Sequence, residues 1–250
     1  MNIDEKIIIT GVGIIHHSLG LQLTSDLEKK YIAKKDFKLS PRVTKLGLVA
    51  MGMAAEMINI NFYPPEDRSI FICSPSTTSE LEELFPSFSY LNDKLDLKDY
   101  YTRGGVKINP LWFIRSLSNL AIALISINYN IEGVSCNWSD NAICGKHALE
   151  EGIKSLIRNE SKVAIVGAFD SIISLYQQKE KICLENKNSE GAVFLILEKS
   201  NSKRPGLKAI YDLFIDNNLN TNNFINEYGN CGVATWLLAQ FHNWNTIKNI

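Results

Sequence analysis

The 250-residue sequence contains no uninterrupted apolar stretch of about 18 residues, the length a helix needs to cross a bilayer. Its five cysteines, Cys73, Cys136, Cys144, Cys183 and Cys231, are odd in number, widely spaced and without a Cys-x-x-Cys pair. That pattern excludes a disulfide framework and a thiolate zinc site. The net charge is only −1, from 26 basic and 27 acidic residues, so the chain lacks the excess of one sign that nucleic-acid and membrane-surface proteins carry. There is no P-loop, no His-Glu-x-x-His and no Gly-x-Ser-x-Gly; Gly133-Val134-Ser135-Cys136-Asn137 departs from the last of these at its final position. The start, Met1-Asn2-Ile3-Asp4-Glu5-Lys6, has acids where a signal peptide has a basic region, and a cytoplasmic protein is expected. No metal or cofactor is expected.

What is present is a globular composition: 45% hydrophobic, 21% charged, mean hydropathy −0.06 and pI near 6.4. Lys6-Ile7-Ile8-Ile9-Thr10, Ser69–Cys73, Lys162–Ala168 and Ala192–Glu198 are short apolar, β-branched runs, the pattern of strands buried on both faces. Gly133–Ser139 and Lys208–Phe214 are predicted as further strands. Helices are predicted over Val43–Ile60, Glu80–Phe85, Leu111–Tyr129 and Asn141–Asn159, the last from Leu149, Ile153, Leu156 and Ile157 recurring on one face. Residues 88–108 look polar and irregular. Strands alternating with helices predict a layered α/β fold.

Several features invite a function and have plainer explanations. Gly11-Val12-Gly13 follows a strand, but the third glycine of a dinucleotide fingerprint would fall on His16. His16 and His17 are adjacent, would face opposite sides of a strand, and read as a turn after it. His147 lies on the predicted 141–159 helix as a polar contact, and His242 near the end says little. Residues 29–45 hold Lys29, Lys30, Lys34, Lys35, Lys38, Arg42 and Lys45 against Asp36, either a solvated surface or a docking patch for an acidic partner.

Taken in order, several segments resemble the N-terminal half of the β-ketoacyl synthases. These are Ile7–Ile14, Asn109-Pro110-Leu111-Trp112-Phe113 through Asn119, Gly133-Val134-Ser135, Gly145–Leu149, Val163–Ala168 and above all Ser189-Glu190-Gly191-Ala192 through Glu198. The resemblance spans residues 6–215 of one ketosynthase-like domain, 1–250, with 216–250 as a short C-terminal remnant. It implies the thiolase-like condensing-enzyme fold, mainly its N-terminal half: a layered α/β sandwich, part of a five-layered α/β/α/β/α whole. The sequence departs from the family where the chemistry lies. The nucleophilic cysteine falls on Ala142, preceded by Asp140-Asn141, as in the non-catalytic chain length factors. Tyr228–Ala234 is similar to the family's Gly-His turn, with Asn230 where the histidine would stand.

The resemblance therefore implies a non-catalytic subunit of the aryl-polyene type. Its partners would be a full-length ketosynthase and an acyl carrier protein. Trp112, Phe113, Ile114, Leu117 and Asn141 are the candidates for lining the acyl pocket, although a core would retain the same apolar residues. Ser135, Asn137, Trp138 and Ser139 are the candidates for the partner interface. A half fold should leave apolar surface that a partner covers. Two other readings stay open: an enzyme using the displaced thiol of Cys144 near a helix start, and a scaffold without acyl chemistry. The start at Met1 leads us to expect that the shortened C-terminal half is natural.

Overall fold

The structure, a computed structural model, describes residues 6–16, 19, 21–76, 87–91, 94–104, 108–139, 143–171, 189–213, 219–228 and 230–248. The predicted helix Glu80–Phe85 lies outside the described residues, as do Asp140, Asn141, Ala142, His17 and Cys183.

The strands are β1 (Ile7–His16), β2 (Arg68–Cys73), β3 (Tyr90–Leu91), β4 (Lys94–Leu95), β5 (Ser135–Trp138), β6 (Val163–Ser171), β7 (Glu190–Lys199) and β8 (Tyr211–Asp212). The principal helices are α1 (Ser25–Tyr31), α2 (Arg42–Glu56), α3 (Leu111–Arg115), α4 (Leu120–Tyr129), α5 (Cys144–Ile157), α6 (Thr221–Tyr228) and α7 (Thr235–Lys248). Six strands form one sheet in the order β5-β2-β6-β7-β1-β8, and β3 and β4 pair as a small separate hairpin. β2 is parallel to β5 and to β6, whereas β7 runs antiparallel to both of its neighbours, β6 and β1. The sheet is thus mixed.

Its central strands read as unbroken apolar runs because both faces are covered. In β6, Val163, Ile165 and Phe169 join one core while Ala164, Val166 and Ala168 join the other. β7 divides the same way, with Ala192, Phe194 and Ile196 on one side and Val193, Leu195 and Leu197 on the other. Helices α2 and α4 fill the first face; α5, α6 and α7 fill the second. The C-terminal helices therefore cover the sheet face that a half fold was expected to leave open, with Trp236, Leu237 and Trp244 buried against it. At about 1.5–3 kcal/mol per large apolar side chain, removing this cover would be strongly destabilising.

The Gly11-Val12-Gly13 motif has a packing cause. A Cβ on Gly13 would lie 1.8 Å from the Ala50 carbonyl oxygen, and one on Gly11 would lie 2.7 Å from that of Ala54. The two glycines let the backbone of α2 settle directly on β1.

Several element boundaries differ from the sequence expectation. The apolar segment Leu111–Tyr129 is two helices, broken by a turn over residues 116–119, and its first part is not core: Phe113 is 58%, Ile114 45% and Leu117 51% exposed. α2 ends at Glu56 rather than at Ile60. Strand β8 is two residues rather than Lys208–Phe214, and β5 is Ser135–Trp138 within the predicted 133–139. Residues 88–108 carry the hairpin and a helical turn. His16 is not in a turn; it is the last residue of β1 and completely buried.

Candidate functional site

The parallel strands β1, β2, β5 and β6 end on one side of the sheet, where a chain reversal leaves backbone groups and loops free to form a site. Around the end of β6 and the start of β7 sits a polar cluster unusual for a sheet core. Asp170 and Glu190 are 8% and 5% exposed. Arg42, on the first turn of α2, donates through Nε at 2.8 Å and Nη2 at 2.5 Å to the two oxygens of Glu190, and Ser171 Oγ donates to the same carboxylate at 3.1 Å. This fork compensates the buried Glu190 charge.

Among the described residues no cation pairs with Asp170. Its oxygens accept the backbone N–H of Ser171 at 2.7 Å and of Val233 at 3.1 Å. Burial raises its pKa, more than those two donors lower it. The approach of the 230–235 turn to this carboxylate requires Gly232: its φ is +53°, and a Cβ there would lie 2.0 Å from Asp170 Oδ2.

Asn230 serves as a turn builder. Its Oδ1 accepts Gly232 N–H at 3.0 Å and Thr235 Oγ1–H at 3.1 Å, and its carbonyl accepts Ser189 N–H at 2.9 Å. An amide committed in this way has no proton to shuttle near neutral pH.

The thiols around the site are enclosed. Cys231 is fully buried, its Sγ 3.2 Å from His16 Nε2, and burial pushes its pKa up to about 12. Cys144 is also fully buried at the start of α5, with Sγ 3.9 Å from the Val233 carbonyl oxygen. Cys73 lies beside it, its thiol raised by burial and by the Cys144 sulfur. A reactive thiol needs access and a cation or helix end lowering its pKa. The displaced-nucleophile reading of Cys144 therefore lacks an accessible sulfur. His147 is exposed on α5, and His242 stacks against Tyr228 with ring centroids 4.8 Å apart.

A second arrangement lies at the edge of the sheet. Among the described residues β5 pairs with β2 on one side only, and Ser135 and Ser139 are exposed while Asn137 and Trp138 are half-buried. Ser74 Oγ, just past β2, donates to the Ser118 carbonyl at 2.8 Å, and Asn137 Nδ2 donates to the same oxygen at 3.1 Å. These bonds fix the turn after α3 against β5. They hold up a shoulder on which Phe113, Ile114 and Leu117 face outward and Trp112 packs edge-on to Phe113 at 5.5 Å. Of the basic stretch, Lys30 pairs with Glu56 at 2.8 Å and Lys45 with Glu28 at 3.3 Å, while Lys34, Lys35 and Lys38 stand exposed.

This sheet order, cover and site placement can be compared with solved proteins. The fold is that of the ketosynthases. A type II polyketide acyl-carrier protein in complex with its ketosynthase bound to the hexaketide superposes with TM-score 0.61 and 17% identity, over 78% of this chain and 63% of that one. The ishigamide ketosynthase/chain length factor gives 0.55 and 14%, over 80% of this chain and 64% of that one. A β-ketoacyl synthase from Burkholderia phymatum gives 0.52 and 12%, over 78% and 59%. The chain thus spans less than two thirds of the length of these ketosynthase-fold neighbours. No protein-family model matches it. Among the described residues no helix is long and apolar enough to cross a membrane.

Of the predicted site residues, Ser135, Asn137 and Trp138 lie on the edge strand with Ser139 just past its end, and Trp112, Phe113, Ile114 and Leu117 share the adjoining shoulder. The buried carboxylates Asp170 and Glu190, the second paired with the exposed Arg42, escaped the sequence reading. Arg42 and Glu190 are 148 residues apart and nothing local marks them as partners.

Proposed function

We propose that this chain is a non-catalytic ketosynthase-like subunit, of the chain-length-factor kind, that pairs with an active full-length ketosynthase. The observation that carries the proposal is the open edge of β5 beside an apolar shoulder, on a ketosynthase fold. An unpaired strand edge is a template for strand addition. The outward Phe113, Ile114 and Leu117 supply the apolar area that an isolated protein would otherwise leave in water. In this reading Ser135, Asn137, Trp138 and Ser139 form the interface. Trp112, Phe113, Ile114 and Leu117, with Asn141, shape the acyl or polyene pocket of the pair.

The chemistry assigned to the partner follows from what this chain offers. Ala142 has no nucleophile, Cys73, Cys144 and Cys231 are buried, and Asn230 cannot act as a base. The partner's cysteine would carry the acyl group, delivered on an acyl carrier protein in fatty-acid or polyketide synthesis, aryl-polyene synthesis being the closest in type. The exposed Lys34, Lys35 and Lys38 give the carrier's acidic surface a place to dock.

Intact-mass measurement tests the division of labour. After incubation of the co-purified pair with acyl-loaded carrier protein, the ketosynthase should gain the mass of the acyl group and this chain should gain none. An acyl adduct on this chain would overturn the proposal.

A further inference from the structure

At the end of the sheet away from the polar cluster, where β7 finishes and β2 and β6 begin, lies a cavity of about 490 Å³. Among the described residues Lys162, Lys199 and Lys203 line it against one carboxylate, Asp67. Lys162 and Lys203 make no ion pair among the described residues. Three ammonium groups around one hollow repel each other, and a net charge of −1 for the whole chain makes the local surplus a feature of this place.

The walls are fixed in advance. Ser202, between Asn201 and Lys203, shares a hydrogen bond of 2.6 Å with the hydroxyl of Tyr63. Tyr63 in turn donates to Glu198, which is fully buried and gripped by Arg204 through Nε and Nη2 at 2.9 Å each. The segment bearing Lys203 is thus held on both sides by an ion-pair network in the core. Lys199 Nζ donates to Asn159 Oδ1 at 2.9 Å, and Lys162 N–H donates to the Asp67 carbonyl at 2.9 Å. On the remaining side Phe62, 43% exposed, and Pro64 give a flat apolar surface.

We infer that this cavity binds a small phosphorylated ligand of the nucleoside-diphosphate class, with its phosphates among Lys162, Lys199 and Lys203 and its base on Phe62. Preformed cationic walls beside an aromatic face suit such a ligand: ammonium groups hold phosphate as point charges, and a ring stacks on Phe62. None of the β5-edge residues lines the cavity, so the site stands or falls separately from the proposed pairing.

Titration calorimetry of the intact protein with ADP, inorganic pyrophosphate and adenosine is the test. ADP should bind saturably and more weakly as salt rises. Lys162→Gln/Lys203→Gln should weaken ADP and pyrophosphate about tenfold or more, two lost charge-assisted contacts being worth at least about one decade. Phe62→Ala should weaken ADP and leave pyrophosphate unchanged. Both lysines and Phe62 are exposed, and an unchanged melting curve will show that the variants fold. No saturable binding of ADP, binding indifferent to the two lysines, or adenosine binding as tightly as ADP would each overturn the inference.

Discussion

Val233 donates its backbone N–H to Oδ2 of Asp170 at 3.1 Å, across 63 residues of sequence, and so fastens the C-terminal turn to the end of β6. Burial raises the pKa of that carboxylate. In the unfolded chain it titrates near the ordinary value of about 4. A raised folded pKa means that the folded state holds its proton longer. Stability from this group is therefore greatest at low pH and declines as pH rises from the ordinary value through the raised one. Asp170→Asn removes the titration. The stability of the native protein relative to that variant should fall with rising pH across this window and then level off. Urea midpoints at a series of pH values measure it, and a difference that grows with pH contradicts the assignment.

Glu198 and Arg204 form a pair in which both side chains are at most 5% exposed. Removing one member leaves a buried charge alone, which costs about 3–5 kcal/mol. Arg204→Met should lower the urea midpoint accordingly. Glu198→Met/Arg204→Met should be the more stable of the two variants, because two apolar groups replace two charges. Equal losses would show that packing, not the uncompensated charge, dominates.

The thiols give a direct measure of access. In a Cys183→Ser background, Cys136, half-buried on β5, should react with a maleimide reagent in the native state. Cys73, Cys144 and Cys231 should react only when the structure opens. Fast labelling of Cys144 would reopen the reading in which it acts as a displaced nucleophile.

The strands β6 and β7 were legible because burial on both faces imposes a continuous apolar run, and that pattern is local. The α3–α4 segment shows where the same logic stops. Its apolar composition predicts burial, but Ser116, Ser118 and Asn119 interrupt the helix, and Phe113, Ile114 and Leu117 turn outward. A surface that awaits a partner and a core use the same residue types, so composition cannot separate them. His16 was misplaced because a pair of histidines looks like a turn, whereas β1 runs on past Thr10 to His16 and packs it against Phe224, ring centroids 5.7 Å apart. The Arg42–Glu190 and Tyr63–Glu198 contacts were invisible because each joins distant segments. Asn141 and Ala142 fall outside the described residues, so Ala142 at the nucleophile position still rests on the sequence resemblance alone.

We propose that this chain works as one half of a pair. The decisive measurement is native mass after co-expression with a full-length ketosynthase from the same source, for the natural chain and for Phe113→Asp/Leu117→Asp. Both residues are more than half exposed, so the variant should fold normally. The account predicts a one-to-one complex with the natural chain and its loss with the variant. A natural chain that stays a monomer or homodimer beside the ketosynthase, or a complex indifferent to both charges, would contradict it.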